Sequence, residues 1–158
     1  EQAPNAHLTA AIWHWDVYYQ AAIETAMTCG GAENFVTEMG GNAYYAGLSE
    51  GFVDASTLNE LVAAPGTAAA MEAVRELIDS GEWDVFSGVK LNITVDAEAG
   101  TAAVEQVDAP LMSDGYELKD GEVVEMANPE IVPAGGASVT DDVIKSGMNY
   151  NVAGVVEG

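Results

Sequence analysis

The feature that most constrains the fold is a change from strand to helix near the start of the chain. An apolar run at residues 7–12 favours a strand, and residues 15–27 are predicted to form a helix that Gly30 and Gly31 end. Apolar residues lie on most sides of this helix, which predicts that it is buried. A strand followed by a helix of this length is typical of the crossover units of α/β folds.

Large aromatic side chains mark this change from strand to helix: Trp13, Trp15, Tyr18 and Tyr19. The last side chains of a strand lie at a sheet edge, where open α/β folds bind small molecules. Flat rings in that place suit a flat ligand, but they are equally consistent with packing of the helix against a core. We favour the ligand cleft for Trp13, which ends the strand, and the core for Tyr19.

The charge of the chain excludes one class of partner. The 158 residues include 26 acidic and only 4 basic ones, which gives a formal net charge of −22. This charge repels polyanions, so we expect no binding of nucleic acid. An acidic, lysine-poor surface also keeps a protein dissolved in concentrated salt, where screening removes its self-repulsion. We therefore expect stability to increase with salt, as in proteins of a saline habitat.

The sequence offers no recognisable metal or catalytic motif. Cys29 is the only cysteine, so it has no disulfide partner, and we expect it to pack as a small apolar residue. His7 and His14 would leave a strand and a helix start in unrelated directions, which argues against paired metal ligands. The chain also lacks a Gly-x-Ser-x-Gly elbow and a phosphate-binding glycine loop. We expect no metal, no cofactor and no enzymatic activity.

Periodicity predicts further elements along the chain: strands at 42–48, 52–54, 83–88, 89–95 and 150–156, and helices at 67–80 and 140–147. The helix at 67–80 has the clearest amphipathic pattern. Residues 96–128 are less regular and are predicted to be peripheral, with a hairpin that turns at Asp120 and Gly121. No window approaches the roughly 18 uncharged apolar residues that a transmembrane helix needs.

Short motifs follow one another in a characteristic order. They are Trp-x-Trp-x-x-Tyr-Tyr at 13–19, Tyr-Ala-Gly-Leu-Ser-Glu-Gly-Phe-Val-Asp at 45–54, Trp-Asp-Val-Phe-Ser-Gly at 83–88, Val-Pro-Ala-Gly at 132–135, and a terminal segment at 140–156. This order resembles the basic membrane protein family of ABC-transporter substrate-binding proteins. The resemblance covers the carboxy-terminal half of such a protein, which implies that a preceding lobe of similar size is missing.

The resemblance implies an α/β fold of the type I periplasmic-binding-protein kind. It would be a three-layer αβα lobe with a mostly parallel sheet, incomplete, with one lobe and a carboxy-terminal return segment. Residues 1–95 would form the ligand-binding lobe of a two-lobed protein. Residues 96–128 would be a peripheral insertion with a hairpin, and residues 129–158 a helix and strand that complete the fold.

The resemblance also implies a function without catalysis. A solute-binding component of an ABC transporter would bind a purine nucleoside-like or other flat polar molecule between its lobes and deliver it to a membrane permease. Such a protein would be a monomer, periplasmic or anchored to the membrane outside the cytoplasm. We expect the cleft to be lined by Trp13, Trp15, Asp16, Tyr44 and Gly47. The alternative is a ligand-sensing receptor or lipoprotein domain that signals to a partner protein, because one fold serves both roles.

Overall fold

The computed structural model describes residues 5–155, which divide into two compact units at the junction of Ala68 and Ala69. The elements of the first unit are β1 (Ala11–Trp13), α1 (Trp15–Thr28), a 3-10 turn (Ala32–Asn34), α2 (Phe35–Glu38) and β2 (Val53–Ala55). Helix α3 (Thr67–Asp79) begins at the junction. The second unit continues with β3 (Val89–Asp96), β4 (Thr101–Asp108), β5 (Leu111–Lys119), β6 (Glu122–Glu125), β7 (Glu130–Val132), a π-helix (Val143–Gly147) and β8 (Tyr150–Val152).

Strands β1 and β2 form a small antiparallel sheet in the first unit. Trp13 lies opposite Val53 in this pairing. The backbone N–H of His14 donates to the Phe52 carbonyl oxygen at 2.8 Å, which extends the pairing by one residue towards α1. The sheet therefore places the first turn of α1 beside Phe52.

Helix α1 begins at the predicted residue and ends one residue later than predicted, but it lacks the predicted burial. It begins at Trp15, and Gly30, with φ of 73°, follows its end as a helix stop requires. None of its residues is buried, and the side chains of Ile23 and Met27 are 61% and 81% exposed. The prediction of a buried helix is wrong, because the short strands and helices of this unit leave these apolar side chains uncovered.

Strand β5 is the central strand of the largest sheet. It pairs antiparallel with β6, β7 and β8 along different parts of its length. Leu111 on β5 lies opposite Val132 on β7, and both side chains are buried. The hairpin between β5 and β6 confirms the predicted turn, since Asp120 and Gly121 both have positive φ, 54° and 84°.

Strands β3 and β4 form a long antiparallel ribbon. Their pairing runs from Val89 opposite Asp108 to Asp96 opposite Thr101. Within residues 5–155 neither strand pairs with any further strand, so both outer edges of the ribbon lack a neighbouring strand. The predicted strand at 89–95 is confirmed.

A tight backbone junction at Gly88 anchors this ribbon. The Gly88 N–H donates to the Gly136 carbonyl at 2.9 Å, and the Gly88 carbonyl accepts from the N–H groups of Gly135 at 2.7 Å and Ala109 at 2.9 Å. Two motifs noted in the sequence, at 83–88 and 132–135, therefore meet here. Residues 83–88 form turns and no strand, because the Asp84 carboxylate accepts the Phe86 N–H at 2.7 Å and bends the chain.

The predicted fold class, a three-layer αβα lobe of type I periplasmic-binding-protein kind with a mostly parallel sheet, is wrong. Every strand pair among residues 5–155 is antiparallel, and the sheets contain two, two and four strands. A parallel sheet needs each helix to return the chain to the start of the next strand. Residues 42–48 form no strand, however, and the turn at Gly47 to Gly51 feeds β2 back antiparallel to β1.

The remaining predicted elements are present with adjusted lengths. Helix α3 begins at Thr67 as predicted, and Gly81, with φ of 73°, follows its end. The predicted helix at 140–147 is a short turn that widens into the π-helix, and the predicted strand at 150–156 is only three residues long. Val156 lies outside the described residues. No helix in the described part of the chain is long and apolar enough to cross a bilayer.

Candidate ligand-binding site

The first unit contains an open cavity of about 500 Å³, here called the aromatic cavity. Its lining consists of six aromatic residues and two small apolar ones: Trp13, Trp15, Tyr18, Tyr44, Tyr45, Phe52, Ala46 and Val53. This volume falls within the range of about 300–1,000 Å³ that is usual for small-molecule sites. The cavity lies entirely in the first unit.

Three local structures bring these rings together. Trp13 is the last residue of β1, Trp15 is the first residue of α1, and Tyr18 follows Trp15 by one helical turn. Tyr44 lies in the irregular segment that follows α2, and Phe52 directly precedes β2. The antiparallel pairing of β1 with β2 therefore places Phe52 beside Trp15.

Four of the rings form a closed circuit of contacts. Trp15 contacts Tyr18 and Phe52, with centroid distances of 6.3 and 5.9 Å. Tyr44 contacts the same two residues, with centroid distances of 5.3 and 5.2 Å. All four contacts are edge-to-face, the geometry that the ring quadrupole favours, and each pair stabilises by about 0.5–1.5 kcal/mol beyond its buried area. The circuit holds the rings in place without a ligand.

The rings differ in exposure according to their place in the cavity. Phe52 is only 8% exposed, whereas Trp13, Trp15 and Tyr45 are 63%, 51% and 62% exposed. Phe52 thus belongs to the small core of the first unit. The two indoles and Tyr45 present their surfaces to solvent, where a ligand could contact them.

A carboxylate stabilises the turn that precedes Phe52. The Glu50 Oε2 atom accepts the Gly47 N–H at 2.7 Å, and the Gly47 carbonyl accepts from the N–H groups of Phe52 at 3.1 Å and Val53 at 3.3 Å. The Gly47 N–H, followed by the Ser49 side chain and the N–H of Glu50 itself, lowers the pKa of Glu50 below its ordinary value. The ionised form of Glu50 therefore favours the turn that positions Phe52 in the aromatic cavity.

The structure brings three of the five predicted site residues together. Trp13, Trp15 and Tyr44 line the aromatic cavity, but Asp16 and Gly47 are not part of its lining. Asp16 lies exposed in the first turn of α1, where a carboxylate suits the helix dipole. Gly47 acts through its backbone in the turn described above.

Sequence reasoning did not place Tyr18 and Phe52 in the site. The three-residue spacing from Trp15 could have indicated Tyr18, because residues three apart share one helix face. Phe52 carries no such local signal, since its position depends on the pairing of β1 with β2. Tyr19, predicted to lie in the core, is 58% exposed and is not part of the cavity lining, and its ring contacts that of Tyr18 with centroids 5.5 Å apart.

Amide, imidazole and carboxylate side chains lie beside the aromatic cavity and not in its lining. Asn42 lines a smaller cavity of about 160 Å³ that shares Tyr18 and Tyr44 with the aromatic one. Asp54 Oδ2 lies 3.9 Å from His14 Nε2, a pair that is ionic only when the imidazole is protonated. Among residues 5–155, no three His, Cys, Asp or Glu side chains are placed to hold a metal ion. The chemistry available in the lining is therefore stacking, with tyrosine hydroxyls as the hydrogen-bonding groups.

Comparison of the chain with protein-family models, with curated proteins and with solved structures gives no match. The resemblance to the basic membrane protein family stays a prediction from motif order.

Proposed function

We propose that this chain is a binding protein that holds a flat, uncharged small molecule in the aromatic cavity and performs no chemistry on it. The observation that carries the proposal is the circuit of four edge-to-face rings, flanked by the exposed indole of Trp13 and the exposed ring of Tyr45. Rings that already hold one another lose little conformational freedom when a planar ligand stacks on them.

The composition of the lining supports a planar and neutral ligand. The eight lining residues are aromatic or small and apolar, and none of them carries a carboxylate, an imidazole or a thiol that could transfer a proton or attack a substrate. Phosphorylated ligands are disfavoured by the net charge of −22. A nucleobase is both planar and uncharged, and a nucleoside carries such a base. Its stacking on an aromatic side chain would contribute about 1–3 kcal/mol per base.

The motif order adds a physiological role to this proposal. As a solute-binding component of an ABC transporter, the protein would work outside the cytoplasm and deliver its ligand to a permease. This role rests on the resemblance alone. The antiparallel sheets are not the fold that the resemblance implies. The proposal for the aromatic cavity rests on the geometry of its rings and does not depend on the resemblance.

Calorimetric titration of the full chain with free bases, nucleosides and ribose tests the proposal. Bases and nucleosides should bind and ribose alone should not, because only the flat ring contacts the aromatic side chains. Trp13→Ala should weaken binding by about 1–3 kcal/mol, with little loss of stability because this indole is 63% exposed.

Tyr19→Ala is the matched control for this experiment. It removes a similarly exposed ring from the same segment, but from outside the cavity lining, and should leave affinity unchanged. The proposal is wrong if no flat ligand binds, or if the two substitutions weaken binding equally.

A further inference from the structure

A second open cavity, of about 580 Å³, lies in the second unit where β8 pairs with β5; we call it the acceptor cavity. Its polar lining consists of two carboxylates, two asparagines and two tyrosines: Asp114, Glu117, Asn149, Asn151, Tyr116 and Tyr150. The remaining lining residues are apolar. It shares no residue with the aromatic cavity.

Strand β5 is irregular where it borders this cavity. The register between β5 and β8 shifts between Ser113 and Glu117, and Gly115 adopts a φ of 92° at this place. A bulge of this kind interrupts the strict alternation of side chains between the two faces of a strand. Beyond this place the pairing of β5 with β6 is regular from Tyr116 to Lys119, and Tyr116 and Glu117 both line the cavity.

Hydrogen bonds within the wall use the donors that the asparagines supply. Asn149 Nδ2 donates to Glu117 Oε2 at 3.2 Å and to the Leu118 carbonyl at 3.0 Å, which occupies both of its protons. Asn151 Nδ2 donates to Asp114 Oδ2 at 3.4 Å. The wall is therefore rich in carboxylate and amide oxygens, which only accept hydrogen bonds. A ligand that binds to these oxygens must supply donors.

The charge of the lining is also one-sided. Asp114 and Glu117 carry negative charge, and no lysine, arginine or histidine is among the residues that line this cavity. The Tyr116 ring, 53% exposed, offers a π-face on which a cation can lie. Leu118 and Val123, 54% and 72% exposed, offer an apolar surface beside these groups.

We propose that the acceptor cavity binds an organic cation that joins a primary ammonium or guanidinium group to an apolar body. The cationic group would donate to the carboxylate and amide oxygens and lie against a tyrosine ring, while the apolar body would cover Leu118 and Val123. The net charge of −22 raises the local concentration of such a cation.

Cyclohexylamine and cyclohexanol are the probes that test this proposal, because they share one non-planar ring and differ in the ammonium group. Titration of the full chain, followed by NMR, should show that the amine binds at least about fivefold more tightly than the alcohol. The amide signals of β5 and β8 should shift. Equal binding of both probes, or shifts confined to the first unit, would overturn the proposal.

Charge-matched variants separate a built site from general attraction to an acidic surface. Asp114→Asn and Glu117→Gln keep the shape of each side chain and should each weaken amine binding by about fivefold. Glu105→Gln removes the same charge from β4, outside this cavity, and should leave binding nearly unchanged. An equal loss in all three variants contradicts the proposal. If either cavity variant does not fold, Tyr116→Leu gives a second test, with the same expected loss.

Discussion

The indole of Trp15 meets the ring of Phe52 edge-on, with ring centroids 5.9 Å apart and planes at 89°. Trp15 begins α1 and Phe52 precedes β2, so this contact joins the helix to the small sheet of the first unit. The two residues differ in burial, because Trp15 is 51% and Phe52 8% exposed. Removal of the Phe52 ring should therefore reduce stability more than removal of the Trp15 ring.

Phe52→Ala should lower the free energy of unfolding by about 3 kcal/mol, because it removes a buried ring and leaves a cavity. It also deletes the contacts with Trp15 and Tyr44. Urea denaturation measures the loss. Phe52→Leu, which keeps most of the volume, should cost less than about 1.5 kcal/mol. An equal loss for both variants would contradict the expected contribution of the cavity and assign the whole loss to the ring contacts.

Gly88→Ala should destabilise the second unit by about 1–3 kcal/mol, because there is no room for an added β-carbon. That atom would overlap the Pro133 carbonyl oxygen and lie 2.7 Å from the Gly136 nitrogen. Gly147→Ala is the control, since its nearest contact would be an ordinary 3.8 Å from Asp142. Thermal denaturation of the two variants should show a clear loss only for Gly88→Ala.

Gly121→Ala should cost about 1–2 kcal/mol, because an alanine there would have to adopt the left-handed region that β-carbons disfavour. The observed φ at this position is 84°. Asp120→Asn should change stability by less than about 0.5 kcal/mol, because asparagine tolerates the same region. A hairpin that accepts Gly121→Ala without loss would mean that its turn is not required for the β5–β6 pairing.

Glu50 should contribute stability that depends on pH. Its pKa is lowered in the folded chain, mainly by the Gly47 N–H, so its contribution is complete above the ordinary carboxyl pKa and is lost as the pH falls through the lowered value. The stability difference between the chain and Glu50→Gln should therefore shrink between about pH 7 and pH 3. Chemical denaturation across this range measures it. A difference that grows in acid would contradict the assigned hydrogen bond.

Salt should raise the melting temperature. The chain carries a net charge of −22, and at 1 M salt the screening length falls to about 3 Å, which removes most repulsion between exposed carboxylates. Thermal scans from dilute buffer to multimolar potassium chloride measure this effect. A melting temperature that does not rise would remove the argument for a saline habitat.

Local patterns in the sequence were enough to predict several elements. Helices α1 and α3 begin at the predicted residues, and each ends shortly before a glycine of positive φ. Helical periodicity and a terminating glycine are both local signals. The turn at Asp120 and Gly121 is equally local, since the two residues themselves favour positive φ. Strand β3 follows from the alternation of its apolar residues.

The strand pairing could not be predicted from the same patterns. A strand followed by a helix is typical of a parallel crossover, and the glycine turn at residues 49–51 carries no local signal that the strand after it pairs antiparallel with β1. For this reason, only some of the aromatic residues of the site could be predicted. Trp13, Trp15 and Tyr44 carry a compositional signal, whereas Phe52 joins them only through antiparallel pairing.

Among residues 5–155, the backbone hydrogen bonds that join the β3–β4 ribbon to other segments lie at one of its ends. Gly88 binds it to the rest of the second unit, and the turn at residues 97–100 forms the other end. In an antiparallel pair, successive residues point their N–H groups alternately towards the partner strand and away from it, so about half of the ribbon's amides depend on water. The ribbon should therefore open progressively, from the turn towards Gly88, and its amides should exchange with solvent deuterium in a gradient along its length.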